Sequence, residues 1–132
     1  MKDAIHGDYS EMTLGKLIAR RGSSAQVRDF GMTLAKDHSA GLAQAQQLAR
    51  RMHLDIRPAL APEARTEYAK LQRLRGRAFD REVKRYMVHD HEKDIAEFKA
   101  QARRGDRRTA AFASQTVPVL QKHLDIARSI RS

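Results

Sequence analysis

The chain has 132 residues, which is enough for one domain with a buried core and too few for us to expect two. It contains no cysteine, which excludes disulfides, thiolate catalysis and cysteine-ligated zinc. Its 26 Lys and Arg residues outnumber its 16 Asp and Glu residues, and the formal net charge of +10 favours acidic partners such as nucleic acid, anionic lipid or an acidic protein surface. No apolar run approaches the roughly 20 residues of a membrane span, and the N-terminal residues lack the apolar core of a signal peptide, so we predict no membrane insertion.

The chain is predicted to be all-α, because helix-forming residues dominate and no strand-type alternation occurs. Apolar residues recur at spacings of three and four, and Gly, Ser and Pro fall near the ends of the resulting segments. The predicted helices are Lys2 to Arg21, a second of roughly thirty residues capped by Ser23 or Ser24, a short one from Glu63 to about Leu74, Arg77 to Arg104, and a last that begins at Asp106 or Thr109.

Four long amphipathic helices with short links imply a single domain over residues 1–132. Its predicted architecture is an antiparallel, up-and-down four-helix bundle with the short helix between the second and third long helices.

Three histidines lie on the apolar stripes of three different helices. His91 follows Met87 by four residues and precedes Ile95 by four, so it faces inward, and His38 and His123 occupy equivalent positions. At 1.5 Å per residue, His91 and His123 lie about 21 Å and 27 Å from the Gly105 turn. Glu11, at the edge of the first stripe, and His38 lie about 17 Å and 24 Å from the Gly22 turn. We therefore expect these four side chains to share one level of the core.

Several segments of the chain carry a family resemblance: EMTLGKLIARRGSS, FGMTLAKDHSAG, FDREVKRYMVHDHEKDIAEF and TVPVLQKHLDIA. With the Asp37-His38 pair, the Met-x-x-x-His run ending at His91 and the Pro-x-Leu-x-x-His run ending at His123, the chain resembles the ferritin-like family catalogued as domain of unknown function 4142. The resemblance implies a four-helix bundle, export to the periplasm or outer-membrane fraction of bacteria in most members, and no established activity. A cytoplasmic location stays open.

A metal ion is the ligand that best suits the inward polar residues. Three imidazoles with the carboxylate of Glu11, and with Asp94 one turn after His91, would suit Zn²⁺, Fe²⁺, Mn²⁺ or Cu²⁺. Asp37 and Asp90 point about 100° away from their histidines, so they are assigned to a solvated face or to the orientation of an imidazole on a neighbouring helix. The alternative is a structural or stress-associated interaction module whose His/Asp/Glu core is only hydrogen-bonded.

Catalysis is less favoured, and no catalytic residue is predicted. The chain has no Ser-His-Asp arrangement, phosphate loop or nucleotide-binding fingerprint, and the paired Glu-x-x-His motifs of di-iron proteins are absent, so a di-iron oxidase is a minor alternative. His89, two residues before His91, is assigned to the surface.

Two basic clusters could bind phosphates, but the scarcity of aromatic residues makes nucleic acid a less favoured partner. They consist of Arg73, Arg75, Arg77, Arg81, Lys84 and Arg85, and of Arg103, Arg104, Arg107 and Arg108. A protein partner and self-association stay open.

Overall fold

The computed structural model describes all of residues 1–132 and contains five α-helices and no strand. The helices are α1 (Lys2–Arg21), α2 (Ala25–Arg51), α3 (Pro62–Gln72), α4 (Gly76–Arg104) and α5 (Arg107–Ser129). The all-α prediction is confirmed, including the short helix between the second and third long helices. None of the five combines the length and the apolar composition needed to cross a bilayer.

The chain divides into two compact units, Met1–Val83 with Ser132, and Lys84–Arg131. In the first unit, α1 packs along α2. In the second unit, α4 packs against α5 through the buried side chains of Ile95, Leu120 and Leu124. The prediction of one domain over residues 1–132 stays a prediction.

In the first unit, α1 and α2 approach so closely at Gly15 and Gly31 that neither position has room for a side chain. A Cβ on Gly15 would lie 2.7 Å from the backbone nitrogen of Ala35, and a Cβ on Gly31 would clash with the backbone nitrogen of Ala19. Apolar side chains close the interface around this contact: Leu14, Ile18, Phe30 and Leu34 are buried. The two glycines therefore fix where the helices cross and in which register they pair.

The turn between α1 and α2 is held by hydrogen bonds to two side chains, one within the turn and one on α4. Ser24 is the N-cap of α2, as predicted, and its hydroxyl accepts from the backbone N–H of Val27 at 3.1 Å. The carboxylate of Asp80, on the first turns of α4, accepts from the backbone N–H groups of Ser23 at 2.9 Å and Ser24 at 3.0 Å. Asp80 is buried and thus adds an acceptor at the positive end of α2.

In the second unit, α5 is closed at both ends by polar groups. Asp106 is the N-cap, as predicted, and accepts from the backbone N–H of Thr109 at 3.0 Å. At the other end, the ammonium of Lys84 on α4 donates to the carbonyl oxygen of Ile130 at 2.7 Å. Positive charge at the C-terminal end of a helix is favourable for its dipole. The Lys84 contact joins α4, which carries His91, to the end of α5, which carries His123.

Candidate functional site

The predicted ligand residues are buried, with one exception. His91 and His123 are 0% exposed and His38 is 5% exposed, so the prediction that the three histidines face inward is confirmed. Glu11, predicted at the edge of its stripe, is 4% exposed. Asp94 is half-buried. Glu11 and His38 belong to the first unit, and His91, Asp94 and His123 belong to the second. In contrast, His89 is exposed, as predicted.

His38 is oriented by a carboxylate from the neighbouring helix. Its Nδ1 lies 2.8 Å from Oδ1 of Asp8 on α1. A carboxylate only accepts hydrogen bonds, so Nδ1–H of His38 is the donor, and in the neutral ring the lone pair then resides on Nε2. The register set by the glycines explains the contact. Asp8 lies seven residues before Gly15 and His38 seven after Gly31, which is about two turns along each of two antiparallel helices.

His91 is oriented in the same way by its own helix. Its Nδ1 lies 2.9 Å from the carbonyl oxygen of Met87, one turn earlier in α4. Because a carbonyl oxygen is only an acceptor, Nδ1–H is again the donor and Nε2 of the neutral ring carries the lone pair. Histidines that bind metals show this arrangement, in which one ring nitrogen donates to a carbonyl or carboxylate and the other binds the ion.

His91 and His123 lie side by side in the second unit. Their ring centroids are 5.5 Å apart, and the ring planes are inclined by 80°. Two imidazoles bound to one tetrahedral zinc ion, with Zn–N distances of about 2.0–2.1 Å, place their ring centres roughly 5 Å apart. The spacing of the His91–His123 pair is compatible with shared coordination and also with an ordinary edge-to-face contact between two rings.

Each unit contributes residues that could hold a metal ion. In the first unit these are Glu11 and His38, and in the second they are Asp90, His91 and His123. All but Asp94 of the predicted ligands are among them, and Asp94 stays a prediction.

Sequence reasoning missed two acidic residues. Asp90 was assigned to a solvated face or an orienting role because it precedes His91 by one residue, yet it is half-buried and is one of the residues that could bind a metal. Asp8 contacts His38, which is 30 residues away, and nothing in the sequence around either residue indicates this contact.

The two predicted basic clusters consist mainly of exposed arginines. Lys84 is engaged with the carbonyl oxygen of Ile130. The arginines of both clusters are exposed: Arg73, Arg75, Arg77, Arg81, Arg85, Arg103, Arg104, Arg107 and Arg108. Asp106 lies in the chain between the arginines of the second cluster. The backbone N–H of Thr109 donates a hydrogen bond to the Asp106 carboxylate, and so does the Thr109 hydroxyl. These hydrogen bonds lower the pKa of the carboxyl below its ordinary 3.8. Asp106 thus stays ionised as the cap of α5.

Comparison with known proteins gives one match. A family model described as Domain of unknown function (DUF4142) matches residues 1–130. No curated protein and no solved structure matches the chain.

Proposed function

The chain belongs to the DUF4142 family, and from that premise we propose that it is a metal-binding helical protein in which His38, His91 and His123 bind one divalent transition-metal ion. Glu11 or Asp94 completes the coordination in this proposal. The proposed role of the site is to bind the metal, and no catalytic residue is assigned.

The observation that carries the proposal is the His91–His123 pair. Both side chains are fully buried, their ring centres are 5.5 Å apart, and the hydrogen bond to Met87 leaves the lone pair of His91 on Nε2. In this proposal the metal binds through the lone pairs of these buried rings. His38, with its Asp8 partner, has the same tautomer and supplies the third imidazole.

The donor set determines the class of metal. Imidazole nitrogen and carboxylate oxygen suit Zn²⁺, Fe²⁺, Mn²⁺ and Cu²⁺, whereas the absence of cysteine removes the thiolates that favour Cu(I). Three imidazoles and one carboxylate would give zinc its usual four ligands. Zinc is therefore the first metal to test for binding.

The architecture proposed with this site is the antiparallel, ferritin-like four-helix bundle formed by residues 1–132. Its support is the set of four long helices, the tight turns at Gly22 and Gly105, and the antiparallel pairing of α1 with α2. A cell-envelope location is proposed from the family resemblance alone. Fractionation of cells that express the native gene would test it, and recovery only in the cytoplasm would contradict it.

A second candidate function is favoured by the Asp8–His38 contact. The hydrogen bond between Nδ1 of His38 and Oδ1 of Asp8, at 2.8 Å, pairs one ring nitrogen of His38 inside the protein. A structural interaction module with a hydrogen-bonded core requires contacts of this kind. This candidate predicts that chelators leave stability unchanged.

A di-iron oxidase would instead show oxygen-dependent oxidation of Fe²⁺ that is lost on His91→Gln.

The test is thermal unfolding of the protein, purified without an affinity tag, with zinc and with EDTA. A ligand present at a hundred times its Kd stabilises the native state by about 2.7 kcal/mol, which for a chain of this length raises Tm by roughly 10 °C. We expect this shift in the native protein and in His89→Ala, whose imidazole is exposed. His123→Gln should lose it. Equal melting temperatures with zinc and with EDTA would contradict the proposal.

A further inference from the structure

Asp8 is held in a space that α2 provides for it. Its side chain is only 12% exposed, and the side chain of its partner His38 is 6% exposed. Gly41 lies one turn after His38, and a Cβ at this position would lie 3.0 Å from both carboxylate oxygens of Asp8. That distance is shorter than ordinary van der Waals contact, so a side chain at residue 41 would require the carboxylate to shift by a few tenths of an ångström.

We infer that Asp8, accommodated by Gly41, is a positioning residue for metal binding: it orients the His38 imidazole and fixes the tautomer with the proton on Nδ1. This inference rests on the proposed function. A hydrogen bond from Nδ1–H to a carboxylate also increases the electron density that Nε2 can donate to a metal. Removal of a residue that hydrogen-bonds to a metal-binding histidine weakens metal binding by about 10- to 100-fold.

The tautomer of His38 can be measured without any metal. In the metal-free protein at about pH 9, well above the ordinary histidine pKa of about 6.5, ¹⁵N chemical shifts of the ring distinguish a proton on Nδ1 from one on Nε2. The native chain should carry the proton on Nδ1. Asp8→Ala should move His38 towards a mixture of the two tautomers, whereas Asp8→Asn, whose amide oxygen still accepts, should retain the native one.

Zinc titration of the same variants tests the consequence for binding. Asp8→Ala is expected to raise the Kd for zinc about 10- to 100-fold, with Asp8→Asn between it and the native protein. Gly41→Ala should also weaken binding, although alanine favours the helix and should leave the melting temperature of the metal-free protein unchanged or higher. Asp3→Ala, an exposed aspartate on the same helix, is the matched control and should bind zinc as the native chain does.

The possible results separate this inference from the proposed function. A native chain that binds zinc, with unchanged Kd in Asp8→Ala and Gly41→Ala, would overturn the role of Asp8 alone. Retention of the Nδ1 proton in Asp8→Ala would do the same. A native chain that binds no zinc would overturn both the proposed function and the metal-related role of Asp8. If Gly41→Ala bound zinc more weakly but melted no lower than the native protein, the positioning role of Asp8 would be supported. A purely structural contact would change zinc affinity and stability together.

Discussion

Gly31 shows how the absence of one side chain determines where two helices meet. The Cβ of an alanine there would clash with backbone atoms of Ala19 and Gly15, which cannot move without shifting α1 as a whole. Overpacking costs about 1–3 kcal/mol and the better helix propensity of alanine returns about 1 kcal/mol, so we expect Gly31→Ala to lose up to about 2 kcal/mol of stability. Urea or thermal unfolding of the metal-free protein would measure it.

Gly7, on the same pair of helices, supplies the matched control. It is also helical, but a Cβ there would meet no atom within 4 Å. Gly7→Ala should therefore stabilise the protein by up to about 1 kcal/mol through helix propensity alone. Equal effects of the two substitutions would contradict the close approach of α1 and α2 at Gly31.

The sequence predicted the burial of single residues well but not their partners. His38, His91 and His123 were placed inside because their spacing matches apolar stripes, and burial of all three is confirmed. The contact of His38 with Asp8 depends on which helix packs beside α2 and in which register, and no local pattern contains that information.

At the scale of whole helices, the start of α2 depends on a residue far away in the chain. Asp80 accepts hydrogen bonds from the backbone of Ser23 and Ser24, and it carries a negative charge near the positive end of the helix. Asp80→Ala should lower the free energy of unfolding by about 1–3 kcal/mol, because both N–H groups lose their acceptor. Denaturant unfolding of the metal-free variant would measure this loss.

Asp29, an exposed aspartate on α2, provides the comparison for Asp80. Its replacement by alanine should change stability by no more than about 0.5 kcal/mol, as is usual for surface substitutions. If Asp80→Ala were as mild as Asp29→Ala, the turn between α1 and α2 would not depend on the Asp80 carboxylate.

The helices themselves were predictable because their determinants are local. Apolar spacing gave the number of helices, and Ser24 and Asp106 were among the predicted caps and act as caps in the structure. The role of Asp80 was not predicted, since its partners lie more than 50 residues earlier and nothing in the sequence around it indicates a capping function.

At the scale of the whole molecule, the all-α class and the family could be predicted from the sequence, and both are confirmed. The candidate site could be predicted only as a set of residues. Counting residues from the turns fixes the depth of a side chain only to about one turn along its helix, whereas coordination requires ligand atoms within about 2 Å of the ion. Side-chain tautomers and ring spacing, which carry the metal proposal, become known only from the three-dimensional arrangement.

The most direct test of the central claim is X-ray absorption spectroscopy of the native protein loaded with one equivalent of zinc. Imidazole rings scatter in a characteristic pattern, so the spectrum counts them. We predict three imidazoles with Zn–N distances of about 2.0–2.1 Å, and two imidazoles in His123→Gln. A spectrum with only oxygen neighbours, or one that His123→Gln leaves unchanged, would contradict the claim that His38, His91 and His123 bind a common metal ion.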